Sequence, residues 1–184
     1  MKNIKILQGY NKHNMKVEVI DNYLNKDIFQ GVYNTIHSQN YNWNLWKRAN
    51  ENAKEEDYQF AHTHINQYKE IDNINLIFDI LKPYTKKIKK DVKILRAKTN
   101  LFIRQSTNRG LGFHRDIDNS NNFKTLLLYL ETSNGYTEFK NGEKIASKEN
   151  RALIFNANET HQTVTQTDTL FRTNININFE EIYE

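Results

Sequence analysis

The stretch "FRTNININF" (171–179) alternates without a fault. Phe171, Thr173, Ile175, Ile177 and Phe179 fall on one side of an extended chain, and Arg172, Asn174, Asn176 and Asn178 on the other. The apolar side needs another layer to cover it, and the side with one arginine and three asparagines needs partners or water. This predicts a strand whose apolar face packs on the early helices and whose polar face points into the mouth of a barrel.

Working outward, "KILRAKTNLFIRQ" (93–105) also alternates, while "KTLLLYLE" (124–131) and "RALIF" (151–155) are continuous apolar runs suited to buried strands. Asn134-Gly135 and Asn141-Gly142 read as hairpin turns, because both turn residues must accept positive φ. The first half has another period. After a short alternating strand in "KVEVID" (16–21), Ile28, Phe29, Val32, Tyr33 and Ile36 share one helical face, as do Ile74, Ile77, Phe78 and Leu81. Pro83 should kink or end the second helix. The expectation is an α+β fold over 1–184 as one domain, with a mainly helical support region (1–92) ahead of a sandwich or barrel (93–184).

Composition narrows the chemistry. A chain of 184 residues is long enough for one ordinary core and short for two, and ten Phe, ten Tyr and two Trp supply that core despite an apolar share of 38%. There is no apolar run of membrane-spanning length and no secretory pattern at the start, which makes the cytoplasm the expected compartment. Without cysteine, a transition metal must be held by His, Asp or Glu. The net charge of +4 is spread among interleaved acids and bases; the one dense basic run, "KKIKKD" (86–91), reads as a solvated helix end rather than a nucleic-acid footprint.

"GFHRDIDNS" (112–120) is where chemistry enters. If extended, it projects His114 and Asp116 from one face, and His161 in "ANETHQTV" follows the "RALIF" strand. Two imidazoles and a carboxylate form the facial triad of non-haem Fe(II) oxygenases, which leaves metal positions open. Both histidines must be neutral and Asp116 ionised to bind, so affinity should fall as pH drops below the histidine range. Eleven residues beyond His161, Arg172 offers a planar fork that takes a carboxylate in two parallel hydrogen bonds.

The order H-x-D, apolar strand, Asn-Gly turn, strand, His, then Arg on a strand resembles the 2-oxoglutarate- and Fe(II)-dependent oxygenases with their double-stranded β-helix (jelly-roll) core. The resemblance covers roughly 93–180 through "GFHRD", "LLLYLETSNGYTEF", "ENRALIF", "THQTV" and "FRTNI". More loosely, "VIDNYLNKDIF" and "YQFAHTHI" are similar to the leader of a phage-type branch, which would place the protein in a host cytoplasm. The resemblance implies Fe(II) on His114, Asp116 and His161, 2-oxoglutarate on Arg172, and dioxygen as second cosubstrate. It implies that Tyr129 joins the cosubstrate carboxylate as in prolyl-hydroxylase-like members, and that Asn174 and Asn100 belong to R-x-N and N-x-F elements touching it. Phe102 replaces the Tyr usual in the latter. Each has a plainer reading: Tyr129 as filler of a buried strand, Asn174 and Asn100 as solvent-facing polar residues.

The reaction so implied couples decarboxylation of 2-oxoglutarate to hydroxylation of a C–H bond; a carboxylate at 116 speaks against the halogenase variant. The expected substrate is a protein or peptide side chain, with prolyl as a candidate. The alternatives are an AlkB-like nucleic-acid oxygenase, whose second arginine after R-x-N is missing here, and a non-enzymatic cupin-like binding module. Specificity is expected from loops at 106–112 and 117–123 and from the N-terminal cleft. His62 and His64 read as surface or cleft residues, Trp43 and Trp46 as core or cleft lining.

Overall fold

The computed structural model describes residues 17–54, 56–118 and 122–182, so the start read for a secretory pattern and part of the loop at 117–123 lie outside the described residues. A large antiparallel sheet runs in the order β1 (Glu18–Ile20), β9 (Arg151–Asn156), β6 (Phe123–Tyr129), β11 (Phe171–Glu181), β5 (Val92–Ile103), β3 (Gln59–Asn66) and β2 (Asn44–Trp46), with β4 (Lys69–Glu70) paired to β3. A small sheet, β10 (His161–Val164), β7 (Tyr136–Phe139) and β8 (Lys144–Ala146), faces it. Helices α1 (Lys26–Ile36) and α2 (Ile74–Ile88) cover the other face of the large sheet. The fold is the expected jelly roll with helices on one sheet. Among the described residues no helix is long and apolar enough to cross a membrane.

The two faces of β11 behave as its alternation requires. Ile175, Ile177 and Phe179 join Leu126, Leu128 and Ile154 beneath the helices, where Phe29, Val32, Ile36, Ile77, Ile80 and Leu81 meet them. The run in β6 is continuous because both its faces are buried: Leu127 and Tyr129 pack instead between the sheets, on Phe139, Ile145, Leu153 and Phe155. Residues before 93 contribute more than helices. β3 pairs along β5 from Phe60↔Leu101 to Asn66↔Arg96, so the expected boundary at 92/93 runs through the large sheet.

Two local expectations are corrected in part: Pro83 does not end its helix, and one of the two Asn-Gly pairs is not a hairpin turn. Pro83 lies inside α2, which continues to Ile88. An internal proline costs about 3 kcal/mol, but Ile80, Leu81 and Tyr84 beside it are all buried, each contributing roughly 1.5–3 kcal/mol on burial, so the packing outweighs the break. The buried stripe is accordingly rotated toward Ile80 and Tyr84, leaving Phe78 exposed. Asn141-Gly142 does turn β7 into β8, with Gly142 at φ 91°. Asn134-Gly135 is no hairpin: it carries the chain from β6 in one sheet to β7 in the other. Its glycine serves a close approach, since a Cβ there would sit 3.0 Å from Arg172 Nε.

Candidate functional site

Residues 112–118 do not form the regular strand expected. They follow an irregular path pinned to β10 by the bridge His114↔His161, in which each residue's N–H donates to the other's carbonyl at 2.9 and 3.0 Å. Gly112, at φ +92°, makes the bend possible, because a Cβ would lie 2.6 Å from the Asn52 carbonyl. Asn50 and Asn52 strap the segment from outside, donating to the carbonyls of Leu111 and Phe113 at 2.9 Å. Pairing places the two imidazoles side by side, ring centroids 4.7 Å apart. The Asp116 backbone N–H donates to Ala157 O at 3.1 Å, which turns its side chain toward them.

The ligand atoms of His114, Asp116 and His161 all lie within 4.8 Å of one another, so the three could hold one metal ion. Their second partners suit that role. Each histidine Nδ1 faces a carbonyl, Gly112 O at 3.2 Å for His114 and Glu159 O at 2.9 Å for His161. A carbonyl only accepts, so Nδ1 carries the proton and Nε2 keeps its lone pair for a metal. Burial and then the neighbouring His161 push His114 down to about 4, which keeps it neutral around pH 7. Burial would raise the Asp116 carboxyl, but His161, Arg96, His114 and the Thr125 hydroxyl hold it well below the usual carboxylate range.

Asp116 is locked by a closed ring of side chains. Arg96 Nη2 donates to Oδ1 at 3.0 Å, Thr125 Oγ1 to Oδ2 at 2.8 Å, and Asn176 Nδ2 to both oxygens at 3.1 Å. Asn178 ties the donors together, giving a hydrogen bond to Thr125 Oγ1 at 2.9 Å and accepting one from Arg96 Nε at 2.8 Å. Sequence reading assigned no role to Arg96 or Thr125, although a signal existed: Arg96, Lys98, Asn100 and Phe102 alternate on β5 as plainly as the polar face of β11 does, and all four line the cavity.

That cavity, of about 500 Å³, opens between the sheets and reaches Thr137, Thr163 and Asn174 at its inner end. Its outer wall comes from Trp46, Arg48–Glu51 and Gln59, as expected of an N-terminal cleft, and Asp118 of the second loop lines it too; of the expected loops only 106–112 contributes no residue. Asn100 and Asn174 are buried rather than solvent-facing, and Asn100 Nδ2 donates to Asn174 Oδ1 at 2.9 Å. Tyr129 is fully buried, and its hydroxyl donates to Thr137 Oγ1 at 2.6 Å. Burial raises its pKa against the pull of Arg172 and Thr137, so the phenol stays a donor.

Arg172 is not at the mouth, as the alternation suggested, but at the closed end, and it is fully buried. The cavity wall is made by its neighbours Phe102, Thr137 and Asn174 rather than by the guanidinium. The guanidinium lies 5.3 Å from the Phe102 ring centre and close to Gly135. Nη2 donates to Val164 O at 3.2 Å, while Nε and Nη1 have no partner. Nε and Nη1 lie on different edges of the guanidinium, so an incoming carboxylate would pair with one of them together with the second N–H of Nη2; a buried cation with donors left idle suits such a partner.

The second histidine pair does different work. His64 is fully buried, its Nε2 2.8 Å from Thr99 Oγ1 and 3.1 Å from the Tyr41 hydroxyl. His62 stacks on Tyr41 and sits 3.4 Å from Asp72, beside another cavity. Neither is a surface residue. Trp43 packs against the helix-side core and Trp46 lines the metal-site cavity.

No family model matches the sequence, and no curated protein matches it. Solved structures do. An oxidoreductase of the 2OG-Fe(II) oxygenase family from Burkholderia pseudomallei superposes with a TM-score of 0.64 at 8% identity, over 89% of this chain and 84% of that one. A Pseudomonas putida prolyl-4-hydroxylase gives 0.59 at 10% identity over 92% and 95%. The non-haem alpha-ketoglutarate-dependent carbocyclase SnoK from nogalamycin biosynthesis gives 0.63 at 8% over 89% and 79%. At these identities the likeness is one of fold: this chain has the fold on which 2OG-Fe(II) oxygenases are built.

Proposed function

We propose that this protein is an Fe(II)- and 2-oxoglutarate-dependent dioxygenase that hydroxylates a C–H bond in a protein or peptide side chain, with a prolyl residue as the first candidate. One observation carries the reading: a two-histidine, one-carboxylate group in a cavity that also approaches a buried arginine with two unpartnered donors. A purely structural metal site leaves Arg172 unexplained. A cosubstrate carboxylate accounts for both ends.

His114, Asp116 and His161 would hold the iron, which supplies a place for dioxygen and the oxidising chemistry that decarboxylation of 2-oxoglutarate drives. The chain's own groups do the rest. Arg172 receives the distal carboxylate, and the Thr137 hydroxyl, which accepts from Tyr129, has its own hydrogen to donate beside it. Asn100 and Asn174, hydrogen-bonded to each other, stand on the cavity wall between the two ends and fix its width. Phe102 and Leu127 supply the apolar part of that wall. This strengthens the Arg172–carboxylate pair by keeping water away. The peptide assignment is supported by the likeness in fold to a prolyl-4-hydroxylase and by the presence of Tyr129. The likeness to a carbocyclase makes small molecules the comparison class for the test.

Anaerobic titration with Fe(II) and then 2-oxoglutarate should raise the visible charge-transfer band of a chelated complex. On adding air and a peptide panel, succinate should form together with products heavier by one oxygen. A folded protein that gives no band is a cupin-like binding module; a band with oxidised oligonucleotides or small molecules, and no oxidised peptide, moves the substrate class.

A further inference from the structure

Lys98 is a cation that neither end of the cavity uses. It lies on the polar face of β5 between Arg96 and Asn100, opposite Asn176 of β11 and Thr63 of β3. Its ammonium stands 4.6 Å from the centre of the Trp46 ring, on the cavity wall. Among the described residues it has no hydrogen bond and no salt bridge. The other cations nearby are engaged. Arg96 is committed to Asp116 and Asn178, and Arg115 lies 3.8 Å from Asp118. Burial, then the Arg96 charge, pull the Lys98 ammonium down to about 8 despite the help of Asp116, a cost that an anion arriving in the cavity would reverse.

The cosubstrate is not that anion. Arg172 is level with Phe102 on β5, four residues from Lys98. That is about 13 Å of strand, more than 2-oxoglutarate spans end to end. Lys98 also lies on the β3 side of β11, away from β6 and Tyr129. It shares the outer wall with Trp46, Gln59 and Arg48, the side from which a substrate would reach the metal. One ammonium with three donors, a compact point charge with no fork to match, suits a single carboxylate, and the peptide class follows from the proposed function.

We propose that the substrate is an acidic peptide: an aspartate or glutamate close to the oxidised residue pairs with Lys98 beside the Trp46 ring. This rests on the oxygenase reading of the same site. The indole holds the ammonium in place by cation–π attraction before the peptide arrives, so the pair forms with little ordering of the lysine.

The test is a randomised peptide library oxidised by the Fe(II)- and 2-oxoglutarate-loaded protein, with products read by mass spectrometry and the charge-transfer band recorded for each variant. In wild type, Asp or Glu should be enriched about tenfold within two positions of the oxidised residue, the ratio expected of one partly desolvated ion pair. Lys98→Gln should erase the preference and Lys98→Glu should turn it toward Lys or Arg. Acid-independent products, an acidic preference that survives Lys98→Glu, or a band without any oxidised peptide each overturn the proposal. So does a Lys98→Gln protein that needs over tenfold more 2-oxoglutarate for its band, since the lysine then serves the cosubstrate. No band in wild type overturns the iron site itself and is thereby told apart.

Discussion

The two ends of the polar face of β11 are finished to different degrees. At one end Asn176 and Asn178 are engaged with Asp116 and its supports, and the carboxylate accepts from three side chains. At the other end Arg172 is equally buried but donates once, to Val164 O, and has two idle donors. At the first end the carboxylate is fully engaged, only Asn176 Oδ1 is left without a partner, and the group asks for an ion. The second is a buried charge awaiting its partner. On the proposed function, the site fixes its ligand geometry in advance and leaves the Arg172 end to be completed by binding.

The largest effect should come from breaking the finished end. Asp116→Ala removes the one anionic ligand and strands the donors of Arg96, Thr125 and Asn176 around a hole. Fe(II) affinity, followed by calorimetric titration, should fall by at least about 100-fold, beyond the 10- to 100-fold typical of losing a mere supporting partner. An affinity within a few-fold of wild type would mean that the carboxylate is structural and the triad is not a metal site.

Next in size is Arg172→Met, which tests the unfinished end. An unpaired buried charge replaced by an apolar side chain of similar volume should stabilise the metal-free protein, by about 1–4 kcal/mol if it behaves like other buried ionic groups. The same variant should lose 2-oxoglutarate binding while keeping Fe(II). Gain in one and loss in the other is the signature of a charge kept for a ligand. A loss of stability in the metal-free protein would show instead that the Val164 bond and the Phe102 contact use Arg172 as a structural cation.

How much of this was legible in the sequence follows from which signals are local. The faces of β11, the double burial of β6 and the face of α1 were readable, because periodicity is written residue by residue. That His114, Asp116 and His161 could share one metal ion was readable from motif order. Three things were not. The path of 112–118 depends on Gly112 passing the Asn52 backbone, a contact across 60 residues of chain. Gly135 looked like a turn because Asn-Gly is a turn signal, yet it is glycine to clear the Arg172 guanidinium. The burial of His62 and His64 depends on Tyr41, Thr99 and Asp72, which only strand pairing brings together. The outer wall was legible only as an N-terminal cleft: which residues form it depends on β2 joining β3 at the sheet edge, and nothing local to residues 44–51 says so.

The smallest expected effect sharpens the comparison from behind the sheet. Glu131 is the carboxylate whose charge Arg172 feels, and it could be mistaken for the missing partner. It belongs to the other face of β11. It accepts from Thr173 N at 2.6 Å and from Thr173 Oγ1 at 2.7 Å, and it stands 3.0 Å from His37 Nε2. Burial lowers the His37 pKa, but the bonds to Glu131 and to the Tyr33 carbonyl outweigh it, and the net shift is upward from 6.5. A histidine raised on folding adds stability that is complete below about pH 6.5 and is lost as pH rises through the folded value. Glu131→Gln should therefore flatten that part of the pH–stability curve, seen in thermal unfolding between about pH 5.5 and 8, and lower the His37 midpoint in an NMR titration. It should leave the 2-oxoglutarate concentration needed for the charge-transfer band within about threefold of wild type, since Glu131 is bonded to Thr173 and His37 and makes no hydrogen bond to Arg172. A large change in that concentration would make Glu131 the counter-ion of Arg172, and the arginine would then be no longer a charge in waiting but half of a pair that 2-oxoglutarate must break.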